Sequence, residues 1–472
     1  MEYVPTIGIE MHCEMKSNSK VFSPAANTYS KHSNTHVSPI DMGLPGVLPT
    51  VNKECVRKSI MMASILHCEI PEVLCFDRKN YYYPDLPKGF QITQSHMPIG
   101  IHGEIEVPYG ESTLKVKIHD IHLEEDSAKM EHLERESLIN YNRAGVPLLE
   151  LVTEPVFHSI DETIAFLEYI RRVYQFTGIS DADMKKGQIR CDVNVSINEE
   201  DGSLGTKVEV KNVNSFSNIE KVLECEIKRQ IQLIENGKRD EIEQETRRYD
   251  EATNSTIRMR SKVDAIDYKY FVEPNIPKIK IDPDWVKEIQ DSIIELPLSR
   301  RNRYQALGLT SEDIKILLRE RAISDYFDEC ITLGCEAKMA SSWITSIILA
   351  NLKDEESSIE DFKVQPKDLA KLLSKILDKT ISNKQAKEIF DRVLKEDILM
   401  EKAIETSDVQ ISDEAYLDSL VKSIVEAHPS EVEAYKNGRT NLFNFFVGNV
   451  MKETKGKANP VLTKEIIEKY LQ

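Results

Sequence analysis

The chain has 472 residues, and its 61 Lys and Arg against 79 Asp and Glu give a formal net charge of −18. A charge of this sign excludes a protein that binds polyanions through bulk charge, so any contact with nucleic acid must be local. No apolar run approaches the roughly 20 residues of a membrane-spanning helix, and we expect a cytoplasmic protein of two or three domains.

The part of the chain up to about residue 290 has the pattern of strands separated by turns, with two helices at 160–177 and 217–236. Ser159 is a candidate N-cap of the first helix, with Glu162 three residues on as in a capping box, and Gly178 ends that helix. The stretches "RCDVNVSI" and "TKVEVKNV", on either side of the turn-rich "NEEDGSLG", predict a hairpin. We therefore predict an α+β domain with a large, mainly antiparallel sheet.

Helical periodicity dominates after this region, as in "PKDLAKLLSKILD" and "SNKQAKEIFDRVLKE". A second change of character near "SDVQISDEAYLDSL" begins a short all-α tail. We predict three domains: an α+β cradle domain at 1–292, an all-α helical domain at 293–405 and a small all-α tail domain at 406–472.

Five stretches of the first domain alternate polar and apolar residues, so that each strand would have one polar face and one apolar face. In "GIEMHCEM" the polar face has Glu10, His12 and Glu14. Glu124 and Glu125 fall on opposite faces of their strand unless a β-bulge intervenes. The polar faces of the other four stretches comprise His122, Glu124 and Asp126; Glu150 and Glu154; Arg190, Asp192, Asn194 and Ser196; and Lys207, Glu209 and Lys211.

These acidic faces allow two interpretations. Antiparallel sheets commonly pack one face and expose the other, and exposed faces carry charges. Alternatively, acids on neighbouring strands repel unless a cation lies between them. Oxygen ligands with at most one imidazole suit Mg²⁺ or Mn²⁺ better than zinc. Since Mg²⁺ commonly accompanies a nucleotide, the second interpretation predicts an ATP–Mg²⁺ site, and the sequence contains no P-loop or Rossmann motif.

Two further stretches combine basic and aromatic residues: "FDRKNYYYPDLPKGFQITQ" and "QETRRYDEATNSTIRMRSKVDAIDYKYFVEP". Arg and Lys could hold phosphates here while the tyrosines stack on bases or line a pocket. The alternative is a rigid, proline-anchored loop with solvent-exposed arginines.

The eight cysteines occur without any C-x-x-C, which predicts reduced and mostly buried thiols rather than a disulfide framework. Cys330 and Cys335 have four residues between them, and this spacing by itself is weak support for a metal site.

The sequence resembles the B subunits of the tRNA-dependent amidotransferases. The resemblance is found in the five stretches with polar faces and in the two basic and aromatic stretches, and also in "GLPGVLPTVNK" and "FFVGNVMKETKGKANP". The resemblance covers nearly the whole chain and is densest up to about residue 280. It implies a ligase that binds Glu-tRNA(Gln) or Asp-tRNA(Asn) and phosphorylates the side-chain carboxylate with ATP and Mg²⁺. Ammonia from a glutaminase A subunit then displaces the phosphate, in a heterotrimer that also contains a C subunit.

The resemblance also implies roles for individual residues. The catalytic residues and metal ligands would be Glu10, His12, Glu124 and Glu150, with Glu125 as a further candidate ligand. The nucleotide and phosphate contacts would be Lys79, Arg190, Asp192 and Asn194, with Lys207 and Lys211 as secondary contacts. The tRNA contacts would be Lys452, Lys455 and Lys457, for which a solvated helix end is the alternative.

Some members of this family have zinc-binding cysteines between the first strand and "GLPG". Here that stretch has no cysteine and retains only His32 and His36, so we predict no zinc. A non-catalytic tRNA-docking scaffold is the second hypothesis, although concentrated acids would repel RNA. The third hypothesis is the archaeal relative that makes only Gln-tRNA. Its large inserted domain would need a longer chain, so the length argues against it. The sequence has no Gly/Ser-rich amidase signature, so we expect the glutaminase activity to belong to a partner subunit. The sequence leaves open which misacylated tRNA is the substrate.

Overall fold

The chain folds into two compact units, Met1–Arg300 and Arg301–Gln472. The predicted division into three domains stays a prediction. The computed structural model describes residues 3–198, 202–213, 215–261, 267–352, 358–406, 414–454 and 458–471.

The first unit is built on a large sheet. Its described strands are β1 (Pro5–Glu14), β2 (Val73–Leu74), β3 (Asp77–Asn80), β4 (Phe90–Thr93), β5 (Gly100–Tyr109), β6 (Ser112–Glu125), β7 (Lys129–His132), β8 (Ser137–Asn140), β9 (Pro147–Thr153), β10 (Ile189–Ile197), β11 (Val208–Val213), β12 (Glu245–Asp250), β13 (Ser255–Ser261), β14 (Phe271–Val272) and β15 (Ile279–Lys280). Eight of them form one sheet in the order β13-β12-β11-β10-β1-β9-β6-β5. All neighbours in it are antiparallel except the parallel pair β11 and β12.

This sheet confirms the predicted fold class. The predicted hairpin is the antiparallel pair β10 and β11. The five stretches with polar faces are β6, β9, β1, β10 and β11, and these strands are adjacent to one another. Their polar faces therefore lie side by side on one surface.

Helices cover the opposite, apolar surface of the sheet. The helices of this unit are α1 (Lys53–Ile65), α2 (Ile160–Thr177), α3 (Phe216–Glu235), the 3-10 turn Arg239–Glu241, α4 (Pro283–Asp291) and α5 (Pro297–Ala306), which contains the boundary between the units. Ile9 and Met11 of β1 are fully buried in one core with Phe166 of α2 and Leu223 of α3. Each such side chain contributes about 1.5–3 kcal/mol of burial free energy. This packing fixes which face of β1 is left for polar residues.

The predicted helices at 160–177 and 217–236 are confirmed as α2 and α3 to within a residue. Ser159 is the N-cap of α2 and accepts from the Glu162 amide at 3.2 Å. The Glu162 carboxylate accepts instead from the amide of His158, one residue before the cap, at 2.7 Å. The second hydrogen bond of the predicted capping box is therefore made by the amide of His158 rather than by the amide of the N-cap residue Ser159. Gly178 ends the helix with φ +67°.

A small sheet in the order β14-β3-β4 lies beside the end of β6. It joins the two predicted basic and aromatic stretches, because Phe271 of β14 pairs with Arg78 of β3. Thr93 of β4 donates to Glu124 at 3.1 Å. The small sheet thus brings residues of both stretches next to the polar face of the large sheet. Two more pairs of strands are β15 with β2 and β7 with β8.

The second unit is helical throughout its described residues. Its helices are α6 (Ser311–Leu317), α7 (Arg321–Thr332), α8 (Ala337–Trp343), α9 (Pro366–Leu377), α10 (Asn383–Glu396), α11 (Met400–Glu405), α12 (Glu414–Ala427), α13 (Pro429–Lys436), α14 (Phe443–Glu453) and α15 (Pro460–Leu471), with a π-helical segment at Ile344–Ile348 and 3-10 turns at Leu349–Asn351, Ile359–Asp361 and Thr440–Leu442. Leu417, Phe446 and Ile467 belong to an apolar cluster that joins α12, α14 and α15. Among the described helices, none combines the length and the apolar character needed to cross a membrane.

Candidate active site

Three adjacent strands bring two histidines and two glutamates together. Glu150 of β9 lies between His12 of β1 and His122 of β6 in the strand register. Its Oε2 atom is 3.2 Å from His12 Nε2 and 3.0 Å from His122 Nε2. Glu124 Oε1 lies 3.9 Å from His12 Nε2, and Glu124 Oε2 lies 3.9 Å from His122 Nε2. We call His12, His122, Glu124 and Glu150 the histidine cluster.

Charge and burial oppose each other in the histidine cluster. Burial lowers the pKa of His12, but the charges of Glu150 and Glu124 outweigh it and raise that pKa to about 9. The pKa of Glu150 is held well below its usual range because the two histidines outweigh the effect of burial. Burial and the nearby charge of Glu150 raise the pKa of Glu124. Without a metal, positive charge on the imidazoles therefore balances the glutamates.

Asp120 sets the orientation of one of these rings. It accepts from His122 Nδ1 at 2.8 Å and from His119 Nδ1 at 2.7 Å. A proton on His122 Nδ1 leaves Nε2 directed at Glu150. Such an outer carboxylate commonly fixes the orientation of a histidine in a functional site.

A second group lies on the neighbouring strands β1, β10 and β11. The carboxylate oxygens that Glu10, Asp192 and Glu209 offer lie within 4.8 Å of one another, and we call these residues the acidic cluster. Lys211 Nζ lies 2.9 Å from Asp192 Oδ2 and 2.7 Å from Glu209 Oε1. Asn194 donates to Glu10 Oε1 at 2.9 Å. An ammonium and an amide thus offset part of the repulsion between the three carboxylates.

Glu10 is the residue that the other acids affect most clearly. Burial raises its pKa, the hydrogen bond from Asn194 opposes that rise, and the charges of Glu150, Asp192 and Glu209 add to it. A cation placed among these oxygens would remove this penalty. The acidic cluster therefore fits a hard divalent cation.

The predicted ligand set is divided between the two clusters. Glu10 lies in the acidic cluster, whereas His12, Glu124 and Glu150 form a three-ligand group whose donor atoms also lie within 4.8 Å of one another. Oxygen donors with a single imidazole suit Mg²⁺ or Mn²⁺. Within the described residues, these are the two groups of His, Cys, Asp or Glu that could hold a metal ion.

Glu125 lies outside both clusters. Its carboxylate pairs with Lys88 and accepts from the amide of Ile92 at 3.0 Å. The register of β6 against β9 shifts between Ile118 and Asp120, so the strand stays regular at Glu124 and Glu125. The alternation therefore holds, and Glu125 lies on the strand face opposite to that of Glu124.

Arg190 lies at the end of β10 beside two acids. Its guanidinium pairs with Asp126, and its Nε atom is buried without a hydrogen-bond partner. Burial and the charge of Asp126 raise the pKa of Glu14 to about 7. The predicted phosphate contact is thus partly neutralised by one carboxylate and retains an unused donor.

Lys79 is held against a group of tyrosines. Its Nζ atom lies 4.9 Å from the centre of the Tyr268 ring. Tyr81 and Tyr270 each make an edge-on contact with Tyr268, with ring centres 5.8 Å and 6.0 Å apart. Burial lowers the pKa of Lys79, but the charge of Glu124 raises it above its usual range. A cation with an aromatic wall therefore adjoins the histidine cluster.

Four further predicted contacts remain. Lys207 is exposed just before β11. Lys452 is exposed on α14 in the second unit. Lys455 and Lys457 lie outside the described residues.

Comparison with known families gives two matches. Residues 5–287 match the GatB/GatE catalytic domain, and residues 325–471 match the GatB domain. The chain belongs to the GatB family. The first match contains every residue of both clusters.

Several similar proteins are named as the B subunit of an aspartyl/glutamyl-tRNA(Asn/Gln) amidotransferase. The one from Bacillus licheniformis is 42% identical over 99% of this chain and 98% of its own length. The one from Caldicellulosiruptor saccharolyticus is 42% identical over all of both chains. The one from Crocosphaera subtropica is 40% identical over all of this chain and 98% of its own. The similarity of this GatB-family chain to these relatives therefore extends over its full length.

The prediction from sequence omitted five residues of this GatB-family site. Alternation alone had placed four of them on polar strand faces, although nothing in the sequence selected them over their neighbours. Asp120 is two positions before His122 on β6 and lies on the same strand face, so alternation could have placed it on the polar face as well. The omitted residues are Glu14, Asp120, His122, Asp126 and Glu209.

Proposed function

We propose that this chain is the B subunit of an aspartyl/glutamyl-tRNA amidotransferase. It uses ATP to phosphorylate the side-chain carboxylate of Glu-tRNA(Gln) or Asp-tRNA(Asn), and it then amidates the acyl phosphate. Membership of the GatB family and the names of the full-length relatives support this proposal. The structural observation that carries it is the pair of three-ligand groups on adjacent strands of one sheet face.

The histidine cluster and the acidic cluster would hold Mg²⁺. Bound Mg²⁺ would neutralise the phosphate charges of ATP, which is the chief requirement of phosphoryl transfer. His12, Glu124 and Glu150 would hold one ion, and Glu10, Asp192 and Glu209 would hold a second. Whether one ion or two bind is an outcome of a metal titration.

The basic residues around the clusters would position the anionic groups. Lys79 lies near enough to the histidine cluster for the charges of Glu124 and Glu150 to raise its pKa, and Arg190 has an unused Nε donor. Charge-assisted hydrogen bonds from such groups hold phosphates in a defined orientation. Phosphorylation turns a carboxylate, which is a poor electrophile, into an acyl group with a good leaving group. The partly buried site would protect this group from water.

We further propose the partners. The glutaminase would be a separate A subunit, with a C subunit completing a heterotrimer that acts in the cytoplasm. The lysines Lys452, Lys455 and Lys457 would contact tRNA phosphates in a salt-sensitive manner. We predict no zinc in this chain.

A tRNA-docking scaffold is the competing function. The carboxylates of the histidine cluster and the acidic cluster argue against a scaffold, because they would repel RNA and serve no purpose in docking. Hydroxylamine distinguishes the two functions, since it traps an acyl phosphate as a hydroxamate.

The test uses the chain reconstituted with its A and C subunits, Glu-tRNA(Gln), ATP and Mg²⁺, without glutamine or ammonia. The proposal predicts that hydroxylamine converts the side-chain carboxylate of the glutamyl residue into a hydroxamate, and that omission of ATP or the substitution Glu150→Gln in this chain abolishes this product. If no hydroxamate forms while the complex still binds the tRNA, the kinase proposal is wrong and the scaffold is favoured.

A further inference from the structure

Two cysteines lie at the two ends of the turn that terminates α7. Gly334 has φ +90°, and its amide donates to the Ile331 carbonyl at 2.9 Å. The amide of Cys335 donates to the carbonyl of Cys330 at 3.1 Å. These two bonds define a Schellman motif. In this motif the side chains of the first and last residues commonly pack against each other, and here both are cysteine.

The geometry of the motif suits a disulfide. The backbone hydrogen bond between Cys330 and Cys335 limits the separation of their Cα atoms, and a disulfide needs roughly 4.4–6.8 Å between such atoms. The two thiols also shift each other's pKa, as neighbouring side chains do. Little backbone movement is therefore needed to join them.

The two thiols differ in access. Cys330 is fully buried and contacts the carbonyl of Pro366 at 4.0 Å. Cys335 is half-buried. The interaction between the two thiols lowers the pKa of Cys335 and raises that of Cys330. The accessible sulfur is thus also the one that forms a thiolate more readily, which is the requirement for an attacking cysteine.

We propose that Cys330 and Cys335 are a redox-active dithiol, which a low-molecular-weight disulfide converts reversibly into an intramolecular disulfide. The Cys335 thiolate attacks one sulfur of the small disulfide, forms a mixed disulfide and releases one small thiolate. Cys330 then gives its proton to the small thiolate just released and attacks the Cys335 sulfur, which releases the second small thiolate, and water protonates it. Two protein thiols are oxidised, and one small disulfide is reduced to two thiols.

This site is independent of the proposed amidotransferase reaction. Both cysteines lie in the second unit, and every residue of the histidine and acidic clusters lies in the first. The test of this proposal detects a disulfide by mass and needs no amidotransferase activity, so its failure can be distinguished from failure of the proposed function.

The test treats the full-length chain with oxidised glutathione as the small disulfide, alkylates the remaining thiols and digests with trypsin. Arg321 and Lys338 bound a single tryptic peptide that contains both cysteines. The proposal predicts that this peptide has an internal disulfide and no alkylation, and that dithiothreitol restores two alkylatable thiols. Two alkylated cysteines, or a stable glutathione adduct at Cys335, would overturn it.

Three variants test the order of the steps. Cys330→Ser removes the second sulfur, so we expect a persistent glutathione adduct at Cys335. Cys335→Ser removes the attacking sulfur, so we expect Cys330 to remain unmodified. Cys225→Ser is the matched control at another half-buried cysteine, and we expect it to form the internal disulfide like the wild type. Glutathione addition to Cys330 in the Cys335→Ser variant would contradict the assigned order.

Discussion

The substitution Glu150→Gln tests the electrostatics of the histidine cluster. Glu150 is the carboxylate that both His12 and His122 contact, and its charge is the largest of the influences that raise the pKa of His12. Without that charge, burial acts against the protonated imidazole with less opposition. We therefore expect the pKa of His12 in the metal-free variant to fall to its ordinary value of 6.5 or below.

The expected size follows from the pKa of His12 in the wild type. A rise from 6.5 to about 9 is worth about 3 kcal/mol, at 1.36 kcal/mol for each pKa unit. Because the folded state raises this pKa, the contribution is fully present below pH 6.5 and is lost as the pH rises through about 9. The imidazole of His12 has only 23% of its surface exposed, so solvent screens the interaction weakly.

The assay is the NMR titration of the His12 ring together with urea unfolding at pH 6.5 and pH 9, both with a chelator present. Since His12 is still half protonated at pH 9 in the folded state, the wild type should lose about 2.5 kcal/mol of unfolding free energy over this range, and Glu150→Gln should lose much less. Glu104→Gln is the control, because Glu104 is a half-exposed acid that pairs with Lys115 on β5 and β6. A wild-type His12 pKa near 6.5, or the same raised value in Glu150→Gln, would refute the reasoning.

Further predictions concern the acidic cluster and the ends of α2. Lys211→Met removes the ammonium between Asp192 and Glu209. We expect it to lower the free energy of unfolding by about 1–2 kcal/mol in the presence of a chelator, and we expect Mg²⁺ to restore most of this loss. An equal loss with and without Mg²⁺ in urea unfolding would contradict this. Gly178→Ala should cost about 1 kcal/mol of unfolding free energy, because φ is +67° while no atom lies within 4 Å of the new Cβ; an unchanged urea midpoint would be the contrary result. Ser159→Ala should cost about 1 kcal/mol through the lost bond to the Glu162 amide, and unfolding that matches the wild type would exclude a capping role.

The sequence predicts the polar faces well because alternation is a local property of a strand. Glu10 and His12 lie on one face of β1, and Ile9 and Met11 lie on the other. Because Ile9 and Met11 are buried in the core, Glu10 and His12 are left on the face that forms the site. The same local rule correctly separates Glu124 from Glu125.

The grouping of the acids could not be predicted from the sequence, because it depends on strand order and register. β9 lies between β1 and β6, although it follows both in the chain. This order brings Glu150 between His12 and His122, and the pairing of β1 with β10 brings Glu10 opposite Asp192. Alternation contains no information about these long-range pairings, so the division of the acids into two clusters was not foreseen.

We propose above that the two clusters form the site of ATP-dependent carboxylate activation. The most direct measurement is phosphate release from γ-labelled ATP by the reconstituted complex with Glu-tRNA(Gln) and ammonia, for wild type, Glu10→Gln, Glu150→Gln and Glu104→Gln. We predict that Glu10→Gln and Glu150→Gln each lower tRNA-dependent release by about 10²-fold or more with tRNA binding intact, and that Glu104→Gln matches the wild type. Wild-type rates in both cluster variants would contradict the account.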